Sequence, residues 1–304
     1  MNHFAERWRG AVERSGSPVC VGIDPVYAKL PGAIRSREGM DDGSDPASAS
    51  DAIQAFVRGV LRATAAAGVP MVKFQSACFE RYQAEGVECL WNCIEEAKAL
   101  GLMVILDAKR GDIGISAEHY AAASFAPAPG SETGVDALTV NAYLGMDTLQ
   151  PLLKAAREQG KGLFALVRTS NGGSDAVQSQ KLADGRTVGQ MMADLVAATG
   201  AGDVGESGMS LLGAVVGATQ RDEIADLRRR MERQILLVPG YGAQGGGAED
   251  VRGCFLPGKP SSAIITASRS VIYAYADKYT ADWTAAVGAA AAELKREIAG
   301  ICDL

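Results

Sequence analysis

The stretch LMVILDAK, Leu102 to Lys109, carries five apolar residues into an aspartate, an alanine and a lysine. A near-continuous apolar run of this length suits a strand buried on both faces, as parallel strands covered by helices are. Seven further runs share its character: PVCVGIDP (18–25), MVKFQS (71–76), ALTVNAY (137–143), GLFALVRTS (162–170), LLGAVVGAT (211–219), QILLVPGY (234–241) and AIITASRS (263–270). Helical stretches such as 51–67, 84–100, 147–159, 187–198, 220–231 and 282–299 separate them. Eight strands of this kind are the number that closes a (β/α)8 TIM barrel. The pattern predicts an α/β chain forming one barrel domain over 1–304, with the barrel at about 18–300, an extra N-terminal helix (1–16) and long βα loops. A doubly wound open sheet is the alternative, but no G-x-G-x-x-G follows the first strand.

Composition fits a large single core and narrows the partners. The formal charge of −6, with no long run of one sign, lacks the basic stripe that nucleic acid requires. The N-terminal MNHFAERWRGAVERSG is charged throughout, so it is not a secretory signal. Its Phe4, Trp8 and Val12 recur at helical spacing and predict a short amphipathic helix. No apolar run is long enough to span a bilayer. Six cysteines lie scattered, and only Cys89 and Cys93 are close; with His3 and His119 the only histidines, a histidine-ligated metal centre is not expected. A reduced, cytoplasmic protein is the expectation.

Polar residues gather at the C-terminal ends of the predicted strands. Asp24, Lys73, Asp107, Lys109, Asn141, Thr169, Ser170, Thr219, Ser268 and Arg269 all fall there. In a parallel barrel those ends share one mouth, where barrel active sites lie. Asp107 and Lys109 are two apart and share a strand face with Ile105, while Val104, Leu106 and Ala108 face the helices. Asp112 follows the strand, past Arg110 and Gly111, on a turn that could carry it elsewhere. Arg110 reads as a surface or structural ion pair. A lysine held between carboxylates stays charged, which suits a proton donor and not a Schiff-base nucleophile. The plainer reading of DAKRGD is a salt-bridged strand end.

After the seventh and eighth strands come PGYGAQGGG (239–247) and TASRS (266–270). In barrels this pair of loops commonly holds a phosphate. Glycines let backbone N–H groups approach an anion, and a helix start after the eighth strand adds its dipole. Arg269 offers a bidentate fork and Gln244 an amide donor. The loops 26–50, 171–186, 200–210 and 242–262 read as irregular.

Taken together, VGIDP, VKFQSACFE, ILDAKRGDIG, VNAYLGMDTL, RTSN, VVGAT, PGYGAQGG and ITASRS occur in the order found in orotidine 5′-phosphate decarboxylases. Over nearly its whole length the chain resembles the longer bacterial form of that family. D-x-K-x-x-D alone is shared with sugar-phosphate lyases and aldolases of the same barrel group; with PGYGAQGG and the terminal SR it is specific. The resemblance implies decarboxylation of orotidine 5′-phosphate to UMP, the last step of de novo UMP synthesis, without cofactor or metal. It gives Lys109 the protonation of C6, places Asp107 beside the substrate carboxylate, and has Lys73 complete the charged array. Asp24 and Lys73 would hold ribose hydroxyls, Ser170 the pyrimidine, and Gln244 and Arg269 the phosphate, with Ser268 a further substrate-binding residue. Asp112 would reach the neighbouring subunit's site in a homodimer. Where the family usually has threonine four residues after the second aspartate, this chain has Ser116, which keeps the hydroxyl for the ribose contact. Two rivals remain at this stage: a metal-dependent sugar-phosphate decarboxylase or aldolase of the same barrel group, and a catalytically silent phospho-nucleotide sensor.

Overall fold

The apolar runs form eight parallel strands: β1 (Val19–Ile23), β2 (Met71–Gln75), β3 (Met103–Arg110), β4 (Ala137–Val140), β5 (Gly162–Arg168), β6 (Leu212–Val216), β7 (Leu236–Pro239) and β8 (Ala263–Ala267). They pair in chain order, and β1 returns to β8 through Val19 opposite Ile265, closing the barrel. Closure leaves no free edge, so every strand needs apolar residues on both faces, toward the barrel interior and toward the helices. All residues of β1, β4, β6 and β8 are buried accordingly. The computed structural model describes residues 3–35, 43–125, 134–218, 221–242, 247–276 and 282–302.

The predicted N-terminal helix is Phe4–Ser15, with Phe4 and Trp8 fully buried. It packs beneath the barrel. The Trp8 indole donates to the Ser261 carbonyl at 3.0 Å, and the Phe4 ring meets Phe164 of β5 edge-on at 5.8 Å. Arg7 from this helix and Lys98 both pair with buried Asp136, at the entrance of β4. His3 accepts from the Ala5 N–H as a helix cap, and His119 is exposed on the helix Gly114–Phe125, so both imidazoles stand apart from the barrel mouth.

Four stretches differ from the sequence reading. The helix expected from 51 begins at Pro46, because Asp45 caps it by accepting from the Ser48 N–H at 2.9 Å and proline suits a first turn. The polar run before it hides that start. Helix Gly114–Phe125 is hidden in the sequence pattern, since its buried positions are mostly alanine and serine and leave a weak apolar stripe. The loops 171–186 and 242–262 contain the short helices Asp175–Gln178 and Ala248–Arg252.

Candidate active site

The C-terminal ends of β2, β3 and β4 bring four polar side chains together. Lys73 donates to Asp107 Oδ2 at 2.7 Å, and Lys109 donates to Asp107 Oδ1 at 2.7 Å. The Thr139 hydroxyl donates to the same Oδ1 at 2.8 Å and accepts from the Lys109 main-chain N–H at 3.0 Å. Asp107 thus sits between two ammonium groups and a hydroxyl. Burial favours its neutral form, yet Lys73 and Lys109 overrule it and hold the carboxyl well below the usual carboxylate range. Burial likewise opposes the charge on Lys73, and the carboxylates of Asp107 and Asp24 reverse that effect, raising it above an ordinary lysine. Both groups are therefore ionised at neutral pH.

Strict alternation does not explain how Lys109 joins this group. Its φ is 47°, in the left-handed region that a lysine rarely occupies. The β3–β4 register shifts between Leu106 and Arg110, so the strand is irregular where its charged residues emerge. Such an irregularity re-aims side chains, and left-handed backbone at a non-glycine costs about 1–3 kcal/mol. The Thr139 contact to the Lys109 N–H helps to hold that conformation. Lys109 keeps 46% of its side chain exposed while Lys73 keeps 6%, so Lys109 is the ammonium presented to the cavity.

Two cavities share Lys73 and Asp107 in their walls. One, about 420 Å³, also has Lys109 and Ser170 together with Leu166, Val215 and Leu237, a charged rim over an apolar floor. The other, about 180 Å³, is polar and reaches Asp24, Gln75, Ser268 and Arg269. Two glycines make room for the serines of these cavities, Ser268 in the smaller and Ser170 in the larger. A Cβ on Gly22 of β1 would meet Ser268 Oγ at 1.8 Å, and one on Gly217 would meet Ser170 Cβ at 2.9 Å. Asp24 Oδ1 and Thr266 Oγ1 are buried without a hydrogen-bond partner among the described residues.

Of the residues singled out in the sequence, Asp24, Lys73, Asp107, Lys109, Thr169, Ser170, Ser268 and Arg269 line these cavities. Asp112 and Ser116 do not. Asp112 accepts from the Ile113 N–H at 2.8 Å, and Ser116 lies one turn further on, in the helix Gly114–Phe125. Gln244 and Thr219 lie outside the described residues. Asn141 is a correction: it is exposed, and its side chain accepts from the Tyr143 N–H at 3.1 Å, closing a local turn. The helix after β8, Arg269–Ile272, is a single turn, too short to supply the expected dipole. Arg110 pairs with Glu80 at 2.7 Å and covers the Tyr120 ring, the structural role expected.

Sequence reasoning missed Thr139, which reads as an ordinary β-branched strand residue; its spacing of two from Asn141 was the available signal. It also missed Arg168 and Gln178. Arg168 is buried at the end of β5 and donates to Glu223 at 2.7 Å and Ser174 at 2.8 Å, tying down the loop beside Ser170. Gln178 accepts from the Thr169 N–H and donates to the Thr169 hydroxyl, both at 2.8 Å.

Residues 17–283 match the family model described as "Orotidine 5′-phosphate decarboxylase / HUMPS family". The chain belongs to this family. It is 37% identical to an orotidine 5′-phosphate decarboxylase of Rhodopirellula baltica, over 99% of this chain and 100% of that one. It is 39% identical to one of Salinispora tropica, over 91% and 92% of the two chains. Among solved structures, OMP decarboxylase of Leishmania donovani superposes with a TM-score of 0.72 at 26% identity, covering 99% of both chains. Against this family's members the lysine–aspartate group of β2 and β3 stands in a barrel of the same form, at the mouth where barrel enzymes act.

Proposed function

We infer that this chain is a carboxy-lyase that decarboxylates orotidine 5′-phosphate to UMP and CO2, the closing step of pyrimidine nucleotide synthesis. Family membership supplies the reaction, and the Lys73–Asp107–Lys109 array carries the assignment of residues. The substrate's pyrimidine lies over the apolar floor of the larger cavity, with Ser170 at its edge. Its ribose meets Asp24 and Lys73, where buried Asp24 Oδ1 accepts from a hydroxyl. The phosphate meets Ser268, Arg269 and Gln244. Asp107 faces the departing carboxylate, and the Lys109 ammonium faces C6, stabilises the carbanion that forms there and then protonates it.

Magnitudes decide between two ways of lowering the barrier. Two carboxylates about 4 Å apart repel by roughly 4 kcal/mol at an effective dielectric near 20. Enzymes supply roughly 8–23 kcal/mol, so repulsion between Asp107 and the substrate carboxylate is the smaller part. A cation fixed before the reaction begins, facing charge that develops during it, is the larger. The reaction uses no cofactor in this reading, because two lysines supply the positive charge. Binding of the remote phosphate helps to enforce the geometry, so the phosphate contacts serve turnover as well as affinity.

The active species is a homodimer, with Asp112 entering the partner's site and Ser116 beside it. The supporting observation is the apolar surface around Asp112: Ile113, Ile115, Tyr143 and Leu144 are 64%, 69%, 83% and 56% exposed. Large apolar side chains exposed together mark an interaction surface. No helix among the described residues is long and apolar enough to cross a membrane, and we place the enzyme in the cytoplasm.

The assay is the loss of ultraviolet absorbance as orotidine 5′-phosphate is consumed, run with a chelator present. Undiminished turnover is expected. Activity abolished by the chelator and restored by a divalent metal would favour the metal-dependent lyase or aldolase reading instead.

A further inference from the structure

Asp24 follows β1 directly and precedes Pro25. Proline has no N–H and restricts the residue before it, so this segment has few local hydrogen bonds to fix it. A residue from the far end of the chain supplies them. The Tyr273 hydroxyl accepts from the Val26 N–H at 2.8 Å and donates to the Asp24 carbonyl at 3.0 Å. One oxygen thus holds the main chain on both sides of Pro25. Burial pushes the Tyr273 phenol up to about 12, so it keeps the proton that it donates.

The ring itself is fixed independently. It stacks on Phe56 with centroids 5.9 Å apart, meets Tyr275 edge-on at 6.3 Å, and lies 5.5 Å from Lys29 Nζ. Tyr275 donates to the Lys29 carbonyl at 2.7 Å, a second tie to the segment after β1. Tyr273 ends the one-turn helix that Arg269 begins. The phosphate-side arginine and the carboxylate of Asp24 are therefore mounted on one piece of structure. Among the described residues no hydrogen bond orients the buried Oδ1 of Asp24, so its placement depends on the backbone that Tyr273 grips.

We propose that Tyr273 is a positioning residue for sugar recognition, holding Asp24 where it reads the ribose hydroxyls. This rests on the reading of Asp24 given under Proposed function. The test compares kcat and KM for orotidine 5′-phosphate and for its 2′-deoxy and 3′-deoxy analogues. The proteins are wild type, Asp24→Asn, Tyr273→Phe and Phe4→Leu, each with a melting temperature. Asp24→Asn identifies which hydroxyl the carboxylate reads. Tyr273→Phe keeps the stacked ring and removes both hydrogen bonds. Its discrimination against that deoxy analogue should narrow by about tenfold, mainly through KM for the parent substrate, as expected for a small misplacement. Phe4→Leu, buried beneath the barrel against Phe164 and away from Tyr273, should lower the melting temperature and leave discrimination unchanged.

Discrimination in Tyr273→Phe equal to wild type would overturn the proposal, as would equal loss in Phe4→Leu. Failure of Tyr273→Phe to fold while Phe4→Leu folds would assign the hydroxyl to stability and overturn it too. A wild-type protein that decarboxylates but shows no discrimination lost in Asp24→Asn removes the ribose role of Asp24, and the proposal with it. A wild type with no decarboxylation refutes the proposed activity itself, so the two failures are distinguishable.

Discussion

Lys109→Ala is expected to reduce product formation by at least about 10⁴-fold, combining the loss of a general acid with the loss of a fixed cation at the reacting carbon. Binding of UMP, measured by calorimetry, should persist, because the proposed sugar and phosphate contacts are with Asp24 and Arg269, which line the adjoining cavity. The fold should persist as well. Lys109 is nearly half exposed, and its removal leaves Asp107 paired with Lys73 and Thr139. Turnover within tenfold of wild type in the folded variant would reject the role assigned to Lys109. Lys73 differs physically: it is buried, and losing either partner of its pair strands a charge, so substitutions there mix folding with chemistry.

The second large effect is a recovery. Asp107→Ala and Asp112→Ala should each be inactive alone. In a symmetric dimer whose sites take Asp107 from one subunit and Asp112 from the other, a mixed dimer contains one doubly altered site and one intact site. Equimolar exchange makes half of the dimers mixed, so activity should return to about a quarter of wild type. The structure motivates this arrangement: Asp112 lies off both cavities of its own chain, amid the exposed Ile113 and Ile115. No recovery after exchange has been verified by mass spectrometry would place Asp112 outside the partner's site.

Much of this was legible in the chain itself. Apolar runs with charged ends gave the strand count, and the polar residues closing those runs pointed to the mouth, because burial and strand ends are local properties that composition records. What escaped were pairings between distant segments. Thr139 orients Asp107 and Lys109 from the next strand, and Tyr273 holds Asp24 from some 250 positions away, as their sequence separation of 249 records. A side chain's partner is set by the closed barrel, and no local periodicity encodes it. The conformation of Lys109 escaped for another reason. Alternation assumes extended backbone, and a left-handed lysine is a strained exception that only its tertiary contacts sustain. Asn141 was the converse error: strand-end position suggested a site residue, while its side chain closes the turn that follows.

Stabilisation of a carbanion at C6 by the Lys109 ammonium can be tested without decarboxylation. UMP incubated with the enzyme in deuterium oxide reports on the same intermediate from the product side, followed as loss of the C6 proton signal by NMR. By microscopic reversibility the neutral amine of Lys109 lifts that proton, and the ammonium it becomes exchanges with solvent beside the carbanion. Wild type should exchange the C6 hydrogen, with Lys109→Ala at least about a hundredfold slower. Equal exchange by the two proteins would contradict the account.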